Sequence, residues 1–209
     1  STGGYSAEYG QALSSALVLD SKDKTEATRT DLGLLSVGGD VTHTQAWERG
    51  SIAGKIQYTD IRPYFGLINQ EIDWKDAPVS LDGITAFRQH VGKDGMVKFF
   101  GNFSTTNYSL YNHDINDESI KQLYELTNDY LYLNGFYKQS LNEKWSMRAG
   151  LSYTFNRNDS FLDEDRTLQT DRGIHIKTVL EGSLSDQVEI RTGAEVLQKD
   201  YTQDINPEV

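Results

Sequence analysis

The chain has 209 residues and a formal net charge of −11, a balance that argues against neutralising a nucleic-acid backbone, which needs clustered Lys and Arg. It contains no cysteine, which removes disulfides and thiolate metal sites from consideration. Only 3 prolines stand beside 18 glycines, 12 tyrosines and 8 phenylalanines, a composition that favours strands and tight turns. No apolar run approaches the roughly 20 residues of a membrane-spanning helix. A membrane β-barrel remains open, because its strands alternate lipid-facing and lumen-facing side chains and so average to low hydropathy.

In chain order, the first strand-like run covers about residues 30–47, with Leu35, Val37 and Val41 on one side and Asp40, Thr42 and Thr44 on the other. Its glycines at 33, 38 and 39 suggest curvature or bulges. Next, Ile52, Ile56 and Tyr58 oppose Lys55, Gln57 and Thr59, and later Val97, Phe99 and Phe103 oppose Lys98, Asn102 and Ser104, with Phe100 breaking the pattern. Between 130 and 141 the alternation is mixed, and Leu131, Leu133 and Tyr137 are assigned to the apolar side. The clearest run follows: Trp145, Met147, Ala149, Leu151, Tyr153 and Phe155 alternate with Ser146, Arg148, Gly150, Ser152, Thr154 and Asn156. It matches the roughly 9 to 11 residues a tilted strand needs to cross a bilayer. Ile174, Ile176 and Leu180 then oppose His175, Lys177 and Glu181, with Val179 dissenting, and Val188, Ile190, Ala194 and Val196 oppose Glu189, Arg191 and Glu195.

The connections alternate in kind. Short turns at Glu48-Arg49-Gly50, Lys93-Asp94-Gly95, Asn142-Glu143-Lys144 and Ser185-Asp186-Gln187 recur about every 45 residues. Between them, 67–80, 111–127 and 158–170 read as long polar loops, and another opens at Thr202. Short turns on one side and long loops on the other is the layout of an outer-membrane barrel. A polar strand face is equally the solvated side of a soluble antiparallel sheet, and periodicity does not separate the two.

At the start of the chain, Tyr5, Ala7, Glu8, Tyr9, Gly10 and Ala12, followed by small residues, resemble the end of the plug domain in TonB-dependent outer-membrane receptors. Ser14 and Ser15 depart from the paired glycines common there. Asn69-Gln70-Glu71-Ile72-Asp73-Trp74, Tyr111-Asn112-His113-Asp114 and Asn134-Gly135-Phe136-Tyr137 also look like receptors of this type from Bacteroidota. The resemblance implies an all-β protein in the bacterial outer membrane. Residues 1–24 would end the plug and lead into the barrel, and residues 25–209 would form the N-terminal part of an antiparallel, up-and-down transmembrane barrel, about eight strands of about 22. On this reading the chain is cut at both ends.

The resemblance further implies plug-gated import of an extracellular nutrient without catalysis or a cofactor. Its partners would be outer-membrane lipid, the TonB energy-transducing complex acting through an N-terminal part, and a surface lipoprotein lid or a secretion component. Trp145, Met147, Leu151, Tyr153, Phe155, Ile174, Ile176, Val188 and Ile190 would then face lipid, and Arg148, Lys177, Glu189 and Arg191 the lumen. Glu8 and Arg29 would help hold plug to wall. The rival readings are a passive porin-like barrel and a secreted β-sandwich carbohydrate-binding module, in which Arg148 and Lys177 would meet a dry core.

Trp74, Tyr108, Tyr111, Tyr124 and Phe161 fall in or beside the expected outer loops. Trp74 is the candidate ligand contact, and Tyr108 is assigned to an interfacial aromatic girdle. Asp114, Asn116 and Glu118 have a calcium-like spacing but lack the glycine and distal Glu of an EF-hand. Asp163-Glu164-Asp165-Arg166 shares that weakness, so both read as solvated loops. The histidines at 43, 90, 113 and 175 have no metal-like spacing.

Overall fold

The computed structural model describes residues 27–68, 72–113, 121–185 and 187–206. They form nine strands: β1 (Arg29–Leu35), β2 (Gly38–Trp47), β3 (Gly50–Asp60), β4 (Asp73–Val91), β5 (Gly95–His113), β6 (Lys121–Ser140), β7 (Trp145–Leu162), β8 (Asp165–Ser185) and β9 (Val188–Ile205). One short helix, α1 (Arg62–Phe65), sits between β3 and β4, with a proline in its first turn. The strands make a single open sheet in sequence order, each antiparallel to the next. The fold is all-β and up-and-down.

The first expected run is two strands. The chain turns at Ser36-Val37, and Gly38 opens β2 where the Tyr58 carbonyl oxygen lies 2.1 Å from the place a Cβ would occupy. Breaking the run there shifts the parity of β1. Leu32 and Leu34 pair with Val41 and Gly39, while Leu35 pairs with Gly38 on the face of Asp40, so Leu35 lies opposite to the side its spacing from Val41 implies.

The expected long loops are largely strand. β4 begins at Asp73, β5 runs to His113, β6 begins at Lys121, and β7 and β8 are joined by Asp163-Glu164 alone. Their Asp, Asn and Lys residues read as loop by composition, yet they pair across strands. Lys121 Nζ reaches Asp73 at 2.6 Å, Lys75 reaches Glu125 at 2.8 Å, and Arg166 reaches Asp159 at 2.6 Å. Cross-strand charge pairs of this kind support strands outside an apolar environment. The ladder between β4 and β5 is irregular between Trp74 and Val79, where Pro78 has no N–H to donate to a ladder.

Because side chains alternate along a strand and register partners share a face, the sheet has two continuous surfaces. On one lie Leu32, Val41, Ile56, Gly83, Phe103, Leu131 and Phe155, partners in line across β1 to β7. On the other lie Lys55, Asp82, Ser104, Tyr130 and Asn156. Val179 belongs to this second surface, as the register partner of Arg148 and Gly193. It is 7% exposed there, which accounts for its break in the apolar alternation. Phe100 is there too, its ring 6.2 Å from that of Tyr132.

No second layer covers either surface among the described residues. The buried hydrophobic residues are Ala77, Met96 and Val179 alone among them. Leu151, at the middle of the apolar stretch of β7, is 53% exposed, and Val41, Ile56, Ile174, Ile176 and Val196 are exposed alongside it.

Candidate functional site

The apolar surface is a band with defined limits. On β7 it runs from Trp145 through Met147, Leu151 and Tyr153 to Phe155, and the next residues on that face are Arg157 and Asp159. Ten rises of about 3.3 Å make this about 33 Å along the strand. Ile174, Ile176, Val188 and Ile190 lie on the same face of β8 and β9, and Leu131, Leu133 and Tyr137 on that of β6. Two glycines are covered by cross-strand aromatic partners: a Cβ on Gly83 would lie 2.0 Å from the Phe103 ring, and one on Gly182 would lie 2.2 Å from the Trp145 ring.

Both margins of the band have their own chemistry. At the short-turn end, the Trp47 ring lies 6.1 Å from that of Phe87 and its indole N–H donates to Gln89 Oε1 at 2.8 Å. Trp145 and Tyr137 lie on the same face near this end. At the opposite end the band gives way to ion pairs. Asp73 meets both Lys121 and His113, Asp159 meets Arg157 and Arg166, and Lys121 and Arg166 lie over the rings of Tyr111 and Phe161 at 5.6 and 5.4 Å.

The opposite surface is polar, and its composition changes along the strands. Nearest the short turns, Glu181 receives Arg148 and Arg191 together, and Glu195 receives His175 at 2.9 Å and Lys177 at 3.3 Å. Glu189 lies on this face beside Arg191. Arg88 is the register partner of Lys98, and Lys138 that of Arg148. Cationic residues are thus gathered at this end of β4 to β7, with Glu181 compensating Arg148.

Beyond Phe100, Phe136 and Gly150 the same face of β5 to β7 carries no charged side chain among the described residues. Asparagines, hydroxyls and tyrosines replace the charges. Asn128 Nδ2 donates to Asn156 Oδ1 at 2.8 Å and to Asn158 Oδ1 at 2.6 Å. At the far end a row of rings crosses the sheet. Trp74 stacks on Phe65 of α1 at 5.8 Å and 17°, meets Tyr108 edge-on at 5.9 Å, and Tyr108 lies 6.2 Å from Tyr124. Tyr64 extends the row, 6.3 Å from Phe65.

The five aromatic residues singled out in the sequence therefore divide. Trp74, Tyr108 and Tyr124 share the polar face, whereas Tyr111 and Phe161 lie on the other face among the ion pairs. Tyr108 is thus not part of an aromatic margin on the apolar face; the strand parity that places Lys98 and Ser104 on the polar side places Tyr108 there as well. Tyr64 and Phe65 escape composition-based reading because they sit in a stretch that resembles loop. The sequence signal for them is Pro63, which suits a first helical turn. Just before α1, Asp60 accepts Arg62 Nε at 2.8 Å, and this pairing raises the Arg62 pKa and keeps its charge at the rim.

Tyr5, Ala7, Glu8, Tyr9, Gly10 and Ala12, and the spacing Asp114, Asn116, Glu118, lie outside the described residues. Asp163-Glu164 forms a tight turn in which Asp163 has φ 53° and accepts the Leu123 backbone N–H, while Asp165 accepts Asn206. No group of three or more His, Asp or Glu able to hold a metal occurs among the described residues, and none of their helices is long and apolar enough to cross a membrane. Comparisons with protein-family models, with curated proteins and with solved structures gave no match for this chain.

Proposed function

We propose that this sheet is part of the wall of a plugged outer-membrane β-barrel, and that the protein is a TonB-dependent transporter that imports an extracellular nutrient. One observation carries the reading: among the described residues the sheet is single-layered, with an apolar band about 33 Å long along β7 left uncovered on one face and a polar, ion-paired surface on the other. A soluble monomer rarely leaves so broad an apolar surface in water, and the sandwich alternative requires a second sheet over it. Lipid covers such a band without one. Trp47, Trp145 and Tyr137 at the short-turn margin suit the aromatic girdle of a membrane interface, and the ion pairs beyond Phe155 suit the outer aqueous side.

In this reading the turns after β2, β4, β6 and β8 are periplasmic and the polar surface lines the lumen, with Arg148, Lys177, Glu189 and Arg191 facing the plug. The motif Tyr5 to Ala12 supports a plug immediately before the barrel. The reading requires the outer edges of β1 and β9 to pair with further strands, because unpaired backbone groups in hydrocarbon cost several kcal/mol apiece. The test is fractionation of the full-length protein followed by a gel with and without boiling. The expected result is recovery in the outer membrane with a folded band that shifts on boiling, and uptake that stops when the inner-membrane energy complex is uncoupled. Recovery as a soluble monomer overturns the reading. Uptake indifferent to uncoupling makes the protein a passive pore.

A further inference from the structure

Resting on the membrane reading above, we propose that the apolar face of β1 to β5 is the contact surface of a lateral dimer, its occupant a second copy of this chain. The apolar band is interrupted there. Thr30, His43 and Gln45 lie on the face of Leu32, Val41 and Trp47, and Gln45 and His43 stand inside the Trp47 margin, one and two side chains along that face. The register row of Gln45 continues through Ile52, Phe87, Phe99, Gly135, Leu151 and Ile176. Gln45 therefore shares a row with the middle of the band on β7, and from β2 to β8 it is the one polar side chain in that row.

Hydrocarbon is a poor cover for these groups. Thr30 Oγ1 and His43 Nδ1 are 2.8 Å apart, and Gln45 Nε2 donates to Thr28 Oγ1 at 3.1 Å and to the Ala46 carbonyl oxygen at 3.2 Å. These bonds leave His43 Nε2 and Gln45 Oε1, both on exposed residues, with no partner among the described residues. An uncharged imidazole holds one donor and one acceptor, so where the Thr30 hydroxyl donates to Nδ1, Nε2 carries the ring proton. Lipid tails offer such groups no hydrogen bond, and ionisable residues at membrane depth turn to protein or to a water-filled space.

Beside this cluster the wall is low. Gly54, Thr85 and Gly101 follow His43 in its register row, and they line a trough of about 410 Å³ together with Ile56 and Phe103. A Cβ on Gly54 would meet nothing within 4 Å. Small residues let two membrane surfaces approach closely, and polar side chains then bond across the contact. With a spare donor on His43 and a spare acceptor on Gln45, the cluster is self-complementary, so a two-fold axis gives each copy what the other lacks. From β1 to β3 this face carries no Asp, Glu, Lys or Arg before Asp60 among the described residues. A copy facing itself meets no like-charge repulsion there, and an acidic or basic partner finds no counter-charge.

The experiment extracts the full-length protein from outer membranes in mild detergent and measures its protein mass by light scattering. The expected mass is that of two copies. His43→Leu/Gln45→Leu should weaken the dimer about tenfold or more while the heat-shifting folded band persists, because leucine suits lipid where a lone polar group does not. Gly54→Leu, which fills the trough, should weaken it too, and Ile174→Ala on β8 should leave it unchanged. In intact membranes, and in a background without other cysteines, Gly54→Cys copies should cross-link under mild oxidation and Leu151→Cys copies should not. If the double variant gives no heat-shifting band, Gly54→Leu and the cross-link carry the test. A heat-shifting protein that is monomeric in detergent and uncrosslinked through Gly54→Cys overturns the proposal and leaves the cluster to water or lipid headgroups. A dimer indifferent to the variants, equal cross-linking at Leu151→Cys, or a different barrel protein recovered in place of the second copy overturns it as well. Loss of the membrane reading shows separately, as recovery in the soluble fraction.

Discussion

The two faces of β7 share one backbone and differ in almost everything else. Met147, Leu151 and Phe155 lie in a band that no other part of the described chain covers, while Arg148, Ser152 and Asn156, one residue away, lie among ion pairs, hydroxyls and amides. On the membrane reading proposed above, the difference teaches that this sheet is organised by the media on its two sides and owes little to an internal core. A core would make both faces sensitive to size. Two media make one face sensitive to charge and the other to the loss of partners.

The largest expected effect tests that contrast directly. Leu151→Arg places a charge at the middle of the apolar band and should cost about 2–4 kcal/mol in lipid, whereas Ser152→Arg next to it should cost little. Unfolding in urea from lipid vesicles measures both, and equal costs would break the two-media picture. Next in size, Gly182→Val forces a side chain against the Trp145 ring and should destabilise by about 1–3 kcal/mol through overpacking. Gly54→Ala, where a Cβ meets nothing within 4 Å, should change stability far less in the same assay.

Smaller again is Glu181→Gln. It removes the carboxylate shared by Arg148 and Arg191 and should cost about 1 kcal/mol, with added salt reducing the difference from the parent protein. The smallest effect belongs to the outer rim. Lys75→Ala breaks an exposed pair with Glu125 and should lower the unfolding free energy in urea by no more than about 0.5 kcal/mol. A cost above that of Glu181→Gln would mean the rim is not in water.

Much of the sheet is legible in the sequence, for a physical reason. Side-chain period two is strict, so Trp145 to Phe155 and Val188 to Val196 declare a two-faced strand wherever one face meets an apolar medium. Where both faces meet water that signal vanishes. Asp73, Lys121, Asp159 and Arg166 therefore read as loop although they are strand, because only their cross-strand partners reveal the pairing. Gly38-Gly39 reads as a bulge in a continuous run, since the turn at Ser36-Val37 is visible only once the approach of Tyr58 is known. The ring row was half legible: Trp74 stood out as a ligand contact, but its continuity with Phe65, Tyr108 and Tyr124 depends on register, which a single strand does not carry.

The strict sequence order of the nine strands also bears on how the molecule forms. Each strand after the first finds its partner in the segment made just before it, across connections as short as two residues at Asp163-Glu164. Closing such hairpins costs little chain entropy and takes microseconds. The nine-stranded sheet can therefore lengthen one hairpin at a time, each new edge templating the next.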